Sequence, residues 1–440
     1  MTAPHLQHLQ EKRLRLLDRL LPQGTLRLIL PHGTIITIGS GLPCATMRLK
    51  KKGALWRMLY RPSLSIGELY TNGAWEAEDG ELLTVLRLLM SLRIRQSSWP
   101  VWSSLWLWLY ALLHENNVLQ RSRSRARAHY NNDINLFRAF LDENLHYSCA
   151  YFREPGLSLQ AAQEAKADHI SRKLCVSPKA HVLDIGSGWG AMALHLARHH
   201  DVQVTGLNVS DEQNRYAANK AQELGLADRV RFLTEDYRSH QGSYDAIVSI
   251  GMFEHVGRPW YRRYFETIAR LLKPDGIALV HTIGRSSPPG GTNPWIRRHI
   301  FPGGYIPALS EISAAVQTSG LAILDVEVWR LHYAMTIQQW RTSFESNWDY
   351  LAARCGEAFC RMWRFYLTAS EASFRWDNLV VFQVQLGFAS TTRCPLTRDY
   401  LYLGDHQASK DGIQPRVEAF QQGNSALQER AMEPFAQMRP

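Results

Sequence analysis

At 440 residues the chain is too long for one small compact unit, and two domains are expected; 45% hydrophobic residues are ordinary for a globular protein and sufficient for a real core. The formal net charge of +10 argues against a cationic partner and fits a polyanion, and fourteen tryptophans favour an anionic membrane over nucleic acid, because an amphipathic ring is well placed at a lipid interface. The six cysteines form no C-x-x-C pair and no histidine cluster has zinc spacing, so free thiols and no metal are expected.

Residues 1–22 place Leu6, Leu9, Leu14, Leu17, Leu20 and Leu21 near helical spacing, and Glu11 and Asp18 interrupt the apolar run that a signal peptide needs. No run reaches the length of a membrane span, so a cytoplasmic protein is expected. Residues 26–30 and 34–38 read as short strands joined by a hairpin turn at Pro31-His32-Gly33. Residues 55–59 read as another strand, and residues 65–72 as a helical turn stopped by Gly73. This is the texture of a small α+β domain over residues 1–120.

Residues 82–114 contain no acid. Leu82, Leu83, Leu86, Leu89 and Met90, with Arg87, Arg93 and Arg95, predict a basic apolar helix. Pro100 breaks it. The Trp-rich residues 101–113 are too short to span a bilayer, and Arg121, Arg123, Arg125 and Arg127 follow. Each piece alone fits a buried helix pair with a solvated basic linker; together they predict docking on anionic lipid.

The organising stretch is Val182-Leu183-Asp184-Ile185-Gly186-Ser187-Gly188-Trp189-Gly190. An apolar run reads as a buried parallel strand, three alternating glycines follow, and residues 191–197 read as a helix. A strand–glycine turn–helix unit holds a nucleoside-containing cofactor at the helix N-terminus. The spacing is G-x-G-x-G rather than the dinucleotide G-x-G-x-x-G, and no Lys-Ser/Thr pair makes a P-loop. D-x-G-x-G-x-G resembles motif I of the S-adenosylmethionine methyltransferases.

Beyond it, residues 202–208, 230–233, 244–250, 276–283, 323–328 and 379–386 read as strands, and Ser210 caps a helix running to about Gly225. Strands alternating with helices predict a Rossmann-like α/β fold with a mostly parallel seven-stranded sheet and ligands at the strands' carboxyl ends. There the polar residues gather: Asn208, Glu235, Asp236, Glu254 and His281. After residue 387 the pattern dissolves, and residues 388–440 read as a loosely attached, partly disordered tail.

Five motifs then occur in order: Tyr147-Ser148-Cys149-Ala150-Tyr151-Phe152, the glycine stretch, Gly251-Met252-Phe253-Glu254-His255-Val256-Gly257, His281-Thr282-Ile283-Gly284, and Ile300-Phe301-Pro302-Gly303-Gly304. The chain resembles the cyclopropane-fatty-acid synthases, which use S-adenosylmethionine to act on unsaturated acyl chains of phospholipids. The likeness covers roughly residues 120–387, making 121–387 the catalytic domain, with a faint extension over 60–95.

The resemblance implies addition of a one-carbon bridge across a cis double bond, through a carbocation that a bound bicarbonate ion deprotonates. Motif by motif, the ion's holders are Cys149, Glu254, His281, the Ile283 backbone and Tyr333. The cofactor residues it implies are Tyr147 and Ser148 at a lid, Asp184, Gly186, Gly188 and Gly190 at the turn, Asn208 and Gln213 near the ribose, and Glu235 and Asp236 near adenine. Taken singly, Cys149 reads as a buried thiol, Glu254 as a capping carboxylate and His281 as a core histidine. Residues 295–304 are expected to form part of a flap over an acyl tunnel, with Arg297 and Arg298 able to meet a lipid phosphate or to remain a solvated pair. The usual H-Y-D-x-G-N-D-x-F is altered to His129-Tyr130-Asn131-Asn132-Asp133-Ile134-Asn135-Leu136-Phe137. Two other outcomes stay open: methyl transfer without ring closure, on lipid or a small molecule, and a catalytically weak lipid-binding homologue. The expected partners are an unsaturated phospholipid and the inner face of the cell membrane, not nucleic acid, and a homodimer is compatible with the sequence.

Overall fold

The structure is a computed structural model that describes residue 21 and residues 23–78, 82–92 and 134–402. The expectations for residues 1–20, for the Trp-rich stretch at 101–113, for the arginines at 121–127 and for the tail beyond 402 lie outside the described residues. The described residues up to Cys394 form one compact unit; of a second, from Pro395, only 395–402 are described, with a 3-10 turn at Arg398–Leu401.

The N-terminal part holds a four-stranded sheet in the order β2-β1-β3-β4. Strands β1 (Gly24–Ile29) and β2 (Ile35–Ser40) form the expected antiparallel hairpin, and β1 pairs in parallel with β3 (Cys44–Leu49). Alternation sets the buried face, with Leu26, Leu28, Met47 and Leu49 turned inward. Residues 55–59 are not a strand. They belong to helix α1 (Ala54–Tyr60), which starts after the left-handed Gly53 and buries Ala54 and Met58, one turn apart. A five-residue apolar run cannot separate the two periods, and here burial every fourth residue prevails. Trp56, Leu59 and Tyr60 are left exposed. Helix α2 (Pro62–Thr71), with proline at its start, ends before Gly73 as read; β4 (Trp75–Ala77) and α3 (Leu82–Ser91) follow.

The short helix α4 (Ile134–Arg138) and α5 (Leu159–Lys173), capped by Ser158, lead into the larger sheet. Its elements are β5 (His181–Ile185), α6 (Ala191–His199), β6 (Gln203–Asn208), α7 (Asp211–Glu223), β7 (Val230–Thr234), β8 (Tyr244–Ile250), α8 (Tyr261–Leu271) and β9 (Leu272–Arg285). After them come α9 (Pro294–His299), α10 (Leu309–Gln317), β10 (Ala322–Trp329), α11 (His332–Ser346), α12 (Trp348–Cys355), α13 (Glu357–Trp376) and β11 (Leu379–Gly387).

All seven expected strands form one sheet, in the order β10-β11-β9-β8-β5-β6-β7. Strand β11 runs antiparallel to both neighbours, and the pairs from β9 to β7 are parallel. Strand β9 is buried continuously from Ile277 to Thr282, and its first four residues there, Ile277 to Val280, read as an apolar run. Chain order reverses between β5 and β8, which opens a crevice at their carboxyl ends.

Helix α13 joins the two sheets' surroundings. Phe365 packs 5.6 Å from the Tyr70 ring and 4.8 Å from the Trp295 ring, and the Arg361 guanidinium donates to the Tyr70 carbonyl at 2.7 Å. Gly67 permits this approach: a Cβ there would lie 2.5 Å from Trp295 Nε1.

Candidate active site

The cavity lies at that crevice. After β5 the chain turns through Gly186, Gly188 and Gly190, all with positive φ, and enters α6. Gly186 is held against the loop after β8, so that a Cβ would stand 2.9 Å from the Met252 side chain. Nine of the expected cofactor residues line the cavity: Tyr147, Ser148, Asp184, Gly186, Gly188, Asn208, Gln213, Glu235 and Asp236. Gly190 does not. A Cβ there would sit 2.7 Å from Ala217 and 2.8 Å from Phe232, so this glycine lets α6 pack tightly on its neighbours.

Hydrogen bonds fix the cavity's polar rim. Asn208 donates through Nδ2 to Gln213 Oε1 at 2.8 Å and to the Gly188 carbonyl at 3.3 Å. The Ser210 cap accepts from Gln213 N–H and starts α7 as expected. Arg238 grips both Asp236 oxygens, Nε to Oδ1 at 2.8 Å and Nη2 to Oδ2 at 2.7 Å. Glu235 Oε2 lies 2.8 Å from His240 Nδ1, whose other nitrogen is 2.7 Å from Tyr244 Oη. Both carboxylates therefore have fixed orientations. At the lid, Tyr147 stacks on Trp340 and meets the edge of Phe137, the last residue of the altered segment.

The five residues expected at the anion are not among those that line this cavity, although chain neighbours of two of them are. Ser148 and Met252 line it, next to Cys149 and two residues before Glu254, and His255 lines it on Glu254's other side. Glu254 sits in a 3-10 turn (Phe253–His255), buried, and its Oε1 accepts the Ile283 N–H at 2.7 Å. The Ile283 amide thus serves Glu254 directly. The other oxygen, Oε2, is buried without a hydrogen-bond partner, and burial raises the carboxyl's pKa despite that bond.

His281 faces the same side of β9 as Ile283, two residues away. Its Nδ1 is 3.1 Å from the Gln383 amide on β11, and burial holds its pKa well below the ordinary value, so the ring is neutral. Cys149 is fully buried and burial pushes its thiol far up. Next to it, Ala150 N–H donates to Thr336 Oγ1 at 3.0 Å, and Tyr333 stands one turn earlier on α11. Cys149, Ile283 and Tyr333 share one apolar cluster. These polar groups are buried, and burial shifts Cys149, Glu254 and His281 towards their uncharged forms.

The sequence did not mark Lys166, which lies in an apparently ordinary helix yet reaches the cavity floor, nor His255 and Met252 as wall residues. Burial lowers the His255 pKa to about 4, so it too is neutral. Phe301 and Pro302 of the flap motif line the cavity as well.

The sequence model of the family described as mycolic acid cyclopropane synthetase matches residues 118–384. The chain is 34% identical over 355 residues to the cyclopropane-fatty-acyl-phospholipid synthase of Escherichia coli K12, covering 79% of this chain and 89% of that one. It is 34% identical over 393 residues to the tuberculostearic acid methyltransferase of Mycobacterium tuberculosis, covering 84% and 89%. A crystal structure of a mycolic acid cyclopropane synthase complexed with SAH and CTAB aligns with a TM-score of 0.57 at 32% identity, over 60% of this chain and 97% of that one. On the match across most of its length, and on a cavity at the switch point of the same fold, the chain belongs to the mycolic acid cyclopropane synthetase family and is an S-adenosylmethionine-dependent methyltransferase.

Proposed function

We propose that the protein closes a cyclopropane ring across the cis double bond of an unsaturated phospholipid acyl chain. The observation that carries this reading is the buried Glu254 carboxyl, oriented by the Ile283 amide in a turn whose neighbours Met252 and His255 line the cavity. The similarity to the Escherichia coli enzyme supports it.

The glycine turn, the Asn208–Gln213 pair and the buried, partnerless Asp184 Oδ2 fit S-adenosylmethionine. When bound, it supplies an electrophilic sulfonium methyl group. The chain's task is to position and protect. Phe301, Met252 and Val256 keep water from the reacting centre, which matters because an alkene attacked at one carbon leaves a cation at the other. Tyr151 stacks on Trp329 and the His281 ring meets Trp329 edge-on at 5.5 Å, which places aromatic faces close to the polar set.

The donors among these residues suit a small anion. Burial shifts the Cys149 thiol, the Glu254 carboxyl and the His281 ring towards their uncharged forms, and the Tyr333 hydroxyl can donate, which favours an anion as guest. A bicarbonate ion held there would supply the base that ring closure needs. The second reading is methyl transfer without ring closure, favoured by the similarity to the tuberculostearic acid methyltransferase.

The protein is proposed to work on the inner face of the cell membrane as a peripheral protein, with an N-terminal part to residue 120, a catalytic domain over 121–387 and a tail. No helix among the described residues is long and apolar enough to cross a membrane. Exposed Trp56, Leu59 and Tyr60 on α1, next to Lys51, Lys52, Arg57 and Arg61, support docking on anionic lipid. The test is expression in a bacterium lacking cyclopropane lipids, followed by fatty-acid analysis. High-field ring protons in the lipid NMR spectrum are expected; a methyl-branched product would favour the second reading, and unchanged lipids would overturn both.

A further inference from the structure

Lys166 is fully buried on α5, between Ala165 and Ala167, and its Nζ donates to Ser148 Oγ at 3.0 Å. Among the described residues no carboxylate lies within ion-pair distance of it. The nearby Asp142 spends its oxygens elsewhere: it accepts from His146 N–H at 2.9 Å and Asn144 N–H at 3.1 Å, and lies 2.8 Å from His146 Nδ1. Asp184, across the floor, keeps Oδ2 buried and without a partner. Lys166, Ser148 and Asp184 all line the one cavity. Burial lowers the lysine to about 8 and raises the aspartate to about 7, the mark of two opposite groups each short of a counter-charge.

A ligand bearing an ammonium and a carboxylate on one carbon would satisfy both groups. An α-amino acid end is such a ligand. The hydrogen-bond direction makes the arrangement more specific. An ammonium only donates, so Ser148 Oγ must accept from Lys166, and the serine's own proton is left to point elsewhere, into the cavity it lines. We propose that Lys166 is the positioning residue of an amino-acid clamp, turning the Ser148 hydroxyl towards the cofactor's carboxylate while Asp184 receives its ammonium. This rests on the reading that the cavity takes S-adenosylmethionine. The nucleoside part of the cofactor is held by other residues, so Lys166 acts on one end of the ligand alone.

The test compares two probes on the full chain by calorimetry: S-adenosylhomocysteine, which carries the amino-acid end, and 5′-methylthioadenosine, which lacks it. Lys166→Met should weaken S-adenosylhomocysteine by about tenfold or more, the loss of a charge-assisted hydrogen bond, and leave 5′-methylthioadenosine within about twofold. Ser148→Ala, which leaves Lys166 in place, should show the same selective loss and serves if the lysine variant fails to fold. Equal weakening of both probes would assign Lys166 a merely structural role, and no weakening of either would also overturn the clamp. Wild-type protein that binds neither probe would instead overturn the cofactor reading, and the clamp with it.

Discussion

Ile283 N–H donates to Glu254 Oε1 at 2.7 Å, so a mid-sheet strand and the turn after its parallel neighbour are tied at their carboxyl ends. The bond aims the carboxyl and leaves Oε2 buried and unsatisfied. A buried acceptor without a partner costs about 1–3 kcal/mol, and the anion proposed above would supply one through its own proton.

Glu254→Ala and His281→Ala should therefore lower turnover by about a hundredfold or more, because each removes a group proposed to hold the general base, with S-adenosylhomocysteine affinity changed by less than about threefold. Product analysis and calorimetry on the same preparations check this. Full activity in either variant would remove that residue from the proposed set.

The glycine turn separates two roles that share one motif. Gly190→Ala places a Cβ against Ala217 and Phe232 at a φ of 88°, so it should cost about 1–3 kcal/mol of stability, seen as a lower Tm, with little direct effect on the cofactor. Gly186→Ala meets Met252 on the cavity wall itself and should weaken cofactor binding as well. Equal effects of the two variants on affinity would contradict the division.

Acid stability should depend on Glu327. Burial alone would raise its carboxyl, but His169, 2.7 Å away, and Lys173 hold it well below the ordinary value of 4.5. A depressed native pKa stabilises the fold above the unfolded value, and that contribution is lost as pH falls from about 4.5 towards the native value. Glu327→Gln should lose about 3 kcal/mol at pH 7, since it removes the carboxylate that pairs with buried Lys173 and His169, and the difference from wild type should shrink as pH drops below 4. Urea unfolding at pH 7 and in that acid range measures both; a difference independent of pH would show that the pair does not act through charge.

Most of the fold was legible because its strands are buried on both faces and appear as apolar runs between turn residues, as β5 and β9 do. The turn, the Ser210 cap and the cofactor-lining residues sit on single motifs, where local order carries the meaning. Helix α1 was misread because Leu55-Trp56-Arg57-Met58-Leu59 suits either period, and only its packing through Ala54 and Met58 decides. Lys166 and Glu327 were invisible for another reason. Each looks like a solvated charge in its own segment, and its burial depends on partners 18 residues away, Ser148, or 154 residues away, Lys173. Ile283 is named from its motif as a holder of the anion, but the commitment of its amide to Glu254 depends on tertiary contact and is not legible in the sequence.

Docking on lipid should run through α1. Trp56, Leu59 and Tyr60 are exposed while Ala54 and Met58 are buried, so one helix face is apolar without a covering element among the described residues. Lys51 and Lys52 precede it and Arg61 follows. Apolar side chains enter the headgroup region, and each cation near an anionic surface adds roughly 1 kcal/mol at moderate ionic strength. Trp56→Ser with Tyr60→Ser should reduce co-sedimentation with anionic phosphatidylglycerol vesicles at all salt concentrations. Lys51→Glu with Lys52→Glu should reduce it at low salt and matter less at high salt, because screening has already removed that attraction from the wild type. Activity on a dispersed, short-chain lipid should be unchanged in both. Wild-type binding to these vesicles with neither pair having an effect would move the docking face away from α1.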